Sequence, residues 1–313
     1  MSHYARALAR SLSALTPVAL IDGASGLGPL RTWRNIQTMS RGNEVRLLNT
    51  SPHWSVPLIL AGTRLRGGYV MHGPLVYLAS RWTRPLYVAY YRFVTRRLGV
   101  VVLHASRFRS SLESLRLSPR QVVVVPHGFV PEGLAGGGNY DATGPFVCVG
   151  RMLPYKGFDV FVEALRRLAL AGSPVPAVIG GEGVTESVAP GGVPGLVVKA
   201  GELSDEVFRD TIDRCAAVVL PYRKATQSGV LSTAFAAGRP VIATDVGSFP
   251  DYVDASNGAL LKPGDPQELA DTIAALRNDQ ERSERLARGA RRTWEERLNP
   301  DAAAREILDA LGR

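Results

Sequence analysis

The first 133 residues of this 313-residue chain contain no lysine, and their only acidic residues are Asp22, Glu44, Glu113 and Glu132. The same stretch holds seventeen arginines, a net +13, so that with +9 for the whole chain the remainder carries −4. A GC-rich coding sequence accounts for arginine in place of lysine but not for the scarcity of acids. The asymmetry points the first half at something anionic: a lipid surface, a phosphorylated acceptor or nucleic acid. Cysteine is also scarce. Cys148 and Cys215 sit in separate apolar runs, which excludes a disulfide framework and suits buried, reduced thiols in a cytoplasmic protein. No Cys/His cluster has metal-ligand spacing, so no metal is expected. Long apolar runs are missing too: the least charged stretch, Leu47–Thr63, is broken by Pro52, His53 and Pro57, too short for a membrane span. The N-terminal MSHYARALARSLSAL is amphipathic but lacks the apolar core of a signal peptide. No RNA-binding or helix-turn-helix signature appears and aromatics are not interleaved for stacking, which removes nucleic acid as a partner. No G-x-G-x-x-G follows a strand, which argues against a nicotinamide dehydrogenase.

What is present is 45% hydrophobic and 21% charged residues, the composition of a globular protein long enough for two domains. Periodicity alternates between short apolar runs and amphipathic stretches. Strands are predicted at Glu44–Asn49, Gly68–His72, Val100–Leu103 and Gln121–Val125, with helices over Tyr4–Leu15, Val56–Leu65, Tyr87–Leu98 and Ser106–Leu115. This alternation implies an α/β fold with parallel, doubly wound sheets. The glycine-rich LAGGGNYDATG has no apolar period and reads as a linker over 134–144, dividing a domain at 1–133 from one at 145–313. The second domain repeats the pattern, with strands at Pro145–Val149, Pro176–Ile179, Leu196–Lys199, Ala216–Leu220 and Val241–Thr244. Helices are expected over Phe158–Ala171, Ser204–Arg214 (capped by Ser204), Val230–Ala237 and Pro266–Arg277, with a charged helical tail whose last helix can pack back on the first domain.

Three strand ends carry chemistry. After Val149, Gly150 lets backbone approach a ligand, Arg151 can fork onto phosphate oxygens, and Lys156 adds a mobile charge on the same side of the turn. Glu182, in the next glycine turn, offers a carboxylate to hydroxyls. After Leu220, the turn Gln227-Ser228-Gly229 leads into a small-residue helix that Gly238 ends. The free N–H groups and dipole of that helix favour phosphate beside Ser228, Gly229 and Val230.

With these residues in hand, the chain resembles a family. VGRMLPYKGFDVFVEAL, AVIGGEG, AGELSDEVFRDTIDRCAAVVLPYR and AAGRPVIATDVGSFPDYV, in that order, resemble the donor half of family-4-type glycosyltransferases of GT-B fold. The resemblance implies two Rossmann-like domains facing across a cleft, and a nucleotide-diphosphate sugar held mainly by the second. It also implies sugar transfer with retention and no metal cofactor. Arg151 and Lys156 would hold the diphosphate, with Ser228, Gly229 and Val230 contacting it through backbone. VMHGPL in the first half is similar to a family strand that ends in a histidine near the sugar, which makes His72 a catalytic candidate. Pro126-His127-Gly128 matches the segment preceding the linker, where a turn histidine is the plainer reading of His127.

Two departures accompany the resemblance. The family's two glutamates, eight residues apart, fall here on Ala225 and Thr233, so Gln227 becomes the candidate for the sugar, with Asp251 a more distant one and Thr233 keeping its place on the donor side. The family's opening strand and glycine loop precede a helix like SHYARALARSL, whereas Met1 stands directly before it; either that strand is absent or the start lies upstream. The expected activity is a retaining, metal-independent glycosyltransferase. Its acceptor is a glycan, a lipid-linked or a small molecule, and its setting is cytoplasmic, with peripheral contact at an anionic inner membrane face. The alternative is a non-catalytic or truncated sugar-nucleotide-binding subunit.

Overall fold

The computed structural model describes residues 3–15, 46–49, 56–57, 60, 66–71, 84–126 and 139–312. The chain divides into two compact units, Met1–Gly128 with Asn299–Arg313, and Phe129–Leu298. Most of the helix expected over Val56–Leu65, His72, His127 and the first part of the expected linker lie outside the described residues.

The first unit orders α1 (His3–Ser13), β1 (Arg46–Asn49), β2 (Arg66–Met71), α2 (Arg84–Leu98), β3 (Gly99–Leu103), α3 (Arg109–Ser114) and β4 (Gln121–Val124). The strands form a parallel sheet in the order β1-β2-β3-β4. Val100 to Leu103 are wholly buried, as a near-continuous apolar run must be when helices cover both faces of a parallel sheet. Alternation along the strands sends Tyr69, Met71, Val101 and Leu103 to one face, against Tyr91, Val94 and Leu98 of α2. Val70, Val100, Val102 and Val123 face the other way, onto Leu8 and Leu12 of α1 and Ala303, Ala304 and Ile307 of the C-terminal helix Pro300–Gly312. The end of the chain therefore belongs to the core of the first unit.

The second unit contains β5 (Phe146–Val149), α4 (Phe158–Leu170), β6 (Ala177–Gly181), β7 (Leu196–Ala200), α5 (Asp205–Asp213) and β8 (Ala217–Leu220). It continues with α6 (Gly229–Ala236), β9 (Val241–Thr244), α7 (Phe249–Tyr252), β10 (Gly258–Leu261), α8 (Pro266–Asn278) and α9 (Gln280–Thr293). Its six parallel strands run β10-β9-β8-β5-β6-β7. Strand β10 is absent from the sequence reading; its four residues lie between turns and gain strand geometry by pairing with β9. The order reverses between β5 and β8, and the crevice beyond the carboxyl ends of strands at such a switch point is where open α/β sheets bind ligands.

Helix α6 is apolar almost all round, and Leu231 to Ala236 are buried; such a helix is stable only when covered on every side. Its end is a Schellman motif: the Arg239 amide donates to Ala234 O and the Gly238 amide to Phe235 O, with Gly238 at φ 67°. Ser204 caps α5 by accepting from the Val207 amide, as its sequence position predicts.

Cys148 and Cys215 are free and buried, and burial pushes each thiol up to about 12. Both are expected to resist a thiol reagent at mildly alkaline pH in the native protein and to react once guanidinium unfolds it, because only the thiolate is nucleophilic. Rapid native-state labelling would contradict this packing.

Candidate functional site

The site is built on the carboxyl ends of β5, β6 and β8. Beyond β5 the backbone turns at Gly150, φ 121°, and its amide still pairs with Gly180 O at 2.9 Å. The neighbouring turn at Gly181 lies so close that a Cβ there would come within 2.3 Å of Gly150 O. Two strand ends thus meet backbone to backbone, which no residue with a side chain permits. The Met152 amide donates to Glu182 O at 2.7 Å and holds the two turns together further out.

From Leu153 the chain makes one short 3₁₀ turn, Pro154–Lys156, and reverses at Gly157, φ 69°, into α4. A Cβ on Gly157 would stand 2.0 Å from Pro221 O, so the turn rests directly on the backbone that leaves β8. The Lys156 side chain then arches back over β5. A Cβ on Gly150 would meet its ammonium at 2.9 Å and Val230 Cγ2 at 3.8 Å, which sets the charge beside the first turn of α6. On its way the ammonium passes 5.4 Å from the centre of the Tyr222 ring. Burial holds the Lys156 ammonium below its ordinary value of 10.5; Cys148 acts in the opposite sense and Arg151 in the same one.

The expected residues fare differently. Gly150, Arg151, Lys156 and Glu182 are brought together on the β5 and β6 ends. Arg151 Nε lies 3.1 Å from Glu182 Oε2, with both side chains more than 60% exposed; a pair so solvated holds weakly and exchanges readily for another partner. Ser228 is the N-cap of α6, in extended conformation, and makes no capping bond with its side chain. Gly229 and Val230 form the first turn of that helix, half-buried, and Gln227 is half-buried in the loop before it. Thr233 is wholly buried, and its hydroxyl donates to Gly229 O at 2.9 Å, so it supports the helix and offers a ligand no surface. Ala225 lies under the loop after β9: a Cβ on Gly247 would sit 2.4 Å from Ala225 O, and the Ser248 amide donates to Thr226 O.

Sequence reasoning overlooked Tyr222, Arg223 and Asp159. Tyr222 is buried under Lys156, edge-on to Tyr155 at 6.1 Å and packed on Phe249 at 5.4 Å; burial raises its phenol above the ordinary value of 10.0. Arg223 and Asp159 are 64 positions apart in sequence and form a two-pronged ion pair. No local pattern could have joined them.

Lys156, Arg151 and a helix N-terminus gather at the switch point of a two-sheet, parallel α/β protein. Residues 144–279 match the profile described as "Glycosyl transferases group 1", so this stretch of the second unit is similar to that family, and the likeness to solved structures is one of GT-B fold. Over 162 residues it is 30% identical to the O-antigen chain mannosyltransferase C of Escherichia coli, covering 50% of this chain and 43% of the relative. Over 170 residues it is 29% identical to the alpha-D-kanosaminyltransferase of Streptomyces kanamyceticus, covering 52% and 42%. The chain thus spans less than half the length of these two curated relatives. Among solved structures it resembles Anabaena Alr3699/HepE in complex with UDP, with TM-score 0.70 and 18% identity over 95% of this chain and 86% of that one; the likeness is one of fold.

Gly157→Ala is expected to strain a left-handed position at about 1–3 kcal/mol and to lift the Lys156 turn off Pro221. Thermal unfolding should show a lower midpoint than wild type, and nucleotide affinity should fall in the same variant. A variant with both unchanged would show that the turn does not rest on that contact.

Proposed function

We propose that the protein is a retaining glycosyltransferase that takes a sugar from a nucleotide-diphosphate donor held by the second unit. The observation that carries this reading is the convergence of the Lys156 ammonium with the N-terminus of α6 over Gly150. Two positive ends meeting without an acid between them are unfavourable unless an anion completes them. Arg151 adds a third positive group, once it leaves Glu182 for phosphate oxygens. The backbone amides at Ser228, Gly229 and Val230 contact the diphosphate, and Glu182 and Gln227 are the candidates for sugar or ribose hydroxyls. From the first unit, His72 enters on its resemblance alone. Anabaena Alr3699/HepE has been solved in complex with UDP and with UDP-glucose, which supports a uridine diphosphate donor as the first to test.

In the reaction the bond between the anomeric carbon and the diphosphate oxygen breaks, the acceptor oxygen forms the new bond on the same face, and the acceptor proton passes to the departing phosphate. Lys156, Arg151 and the helix N-terminus stabilise the charge that develops on the diphosphate. This needs no protein base, which suits a first unit with few acids. Preorganised positive groups at the leaving group also do the work otherwise given to a metal, so the reaction is proposed to be metal-independent.

The acceptor is a hydroxyl compound, a glycan, a lipid-linked or a small molecule, met by the arginine-rich first unit. Peripheral contact with an anionic membrane is part of the same reading; among the described residues no helix is long and apolar enough to cross one. A second reading follows from Ala225 and from the buried Thr233, which stand where the family has glutamates: a subunit that binds a nucleotide sugar and transfers nothing. Binding without hydrolysis or transfer to any acceptor would favour it.

Lys156→Ala and Arg151→Ala are each expected to lower transfer by about 100-fold or more; full activity in both, measured with the donor that gives the largest thermal shift, would sink the assignment. Binding should also depend on pH. An anionic donor needs the charged ammonium, so affinity is expected to be full below the lowered Lys156 value and to fall as pH rises through it, earlier than the ordinary 10.5. Lys156→Arg, charged throughout this range, should remove that alkaline fall, and an identical pH profile in the variant would assign the titration elsewhere.

A further inference from the structure

We propose that Arg223 and Asp159 are positioning residues, whose two-pronged ion pair fixes the turn that delivers the Lys156 ammonium to the site. The inference rests on the reading of Lys156 as a diphosphate contact. Lys156 reaches the site from a single 3₁₀ turn with no side-chain cap, entered at Pro154 and left at Gly157. A four-carbon side chain on such a turn places its charge only if the turn itself is held. The segment leaving β8 holds it at four points. Arg223 Nη1 and Nη2 donate to Asp159 Oδ1 and Oδ2 at 2.7 and 2.6 Å, which ties the first turn of α4. Nη1 also donates to Pro154 O at 3.3 Å. The Arg223 amide donates to Tyr155 O at 2.6 Å, and Gly157 sits on Pro221 O. Residues 154, 155, 157 and 159 are thus all anchored to 221–223, with Lys156 in their midst.

The same segment carries Tyr222, whose ring lies beneath the ammonium. Turn and ring are therefore set against each other by one device. The Arg223 hydrogen bonds hold the Asp159 carboxyl below its ordinary value, so the pair stays ionised. Its side chains are 40% and 70% exposed. An ion pair so solvated contributes little to global stability, which separates this role from a structural one: its loss should move the ammonium without unfolding the protein. The planar fork matters as well, because a lysine at 223 cannot grip both carboxylate oxygens.

The test is a double-mutant cycle read by titration calorimetry with whichever of UDP, GDP, ADP or dTDP binds the wild type most tightly. Arg223→Ala, Arg223→Lys and Asp159→Asn are each expected to weaken binding by about fivefold or more, with thermal midpoints within about 2 °C of wild type. In a Lys156→Ala background the same changes should add less than about twofold. Equal losses in both backgrounds would overturn the proposal, since Arg223 would then touch the nucleotide itself. Unchanged affinity in the single variants, or a loss with Arg223→Ala that Asp159→Asn does not share, would overturn it too. If no nucleoside diphosphate binds the wild type, or if Lys156→Ala alone has no effect, the donor-site reading falls first and the positioning role with it.

Discussion

Everything in the second unit is arranged around positive charge placed where a sheet reverses its order. The Lys156 ammonium sits half-buried beside the N-terminus of α6 and within reach of Arg151, a grouping that burial makes costly in the absence of an anion. Glu182 offsets part of it through Arg151, and close-packed backbone holds the groups in place. Gly150 against Gly181 and Gly157 against Pro221 bring three strand ends within contact. The aromatic ring of Tyr222 supplies the floor, attracting a cation without neutralising it.

That constraint explains why the glycines cluster at the ends of β5 and β6 while the strands are apolar throughout. It also explains the character of α6. From Leu231 to Ala236 this helix is buried between β8, β9 and the α9 layer, and small residues let it fit. Thr233 belongs to this packing: its hydroxyl returns to Gly229 O, satisfying itself within the helix as a buried threonine can. Ala225, covered by Gly247, does likewise on the loop side. Both positions that the resemblance sets against glutamates are thus taken up by the protein's own packing.

The two units divide the electrostatics. The first 133 residues carry +13 and the remainder −4, yet Lys156 and Arg151 gather at a strand end of the net-negative part. Overall charge therefore speaks to long-range attraction of an anionic partner, while the proposed diphosphate site depends on a few groups placed within contact distance. The C-terminal helix, encoded last, completes the core of the first unit through Ala303, Ala304 and Ile307.

The sequence by itself determined the alternation of strands and helices, the parallel sheets, the Ser204 and Gly238 caps and the gathering of Gly150, Arg151 and Lys156 on one turn, because these depend on local periodicity and short spacing. It missed β10, whose four residues become a strand only through pairing with β9. Tertiary structure alone decided that Arg223 grips Asp159, that Tyr222 lies beneath the ammonium, and that Thr233 turns inward. The first two are contacts across a crossover, made by residues that are near only after β8 has come to rest beside β5, while Thr233 is turned inward by the burial of α6. Side-chain direction at such positions is set by the packing of neighbouring elements, and no pattern along one segment encodes it.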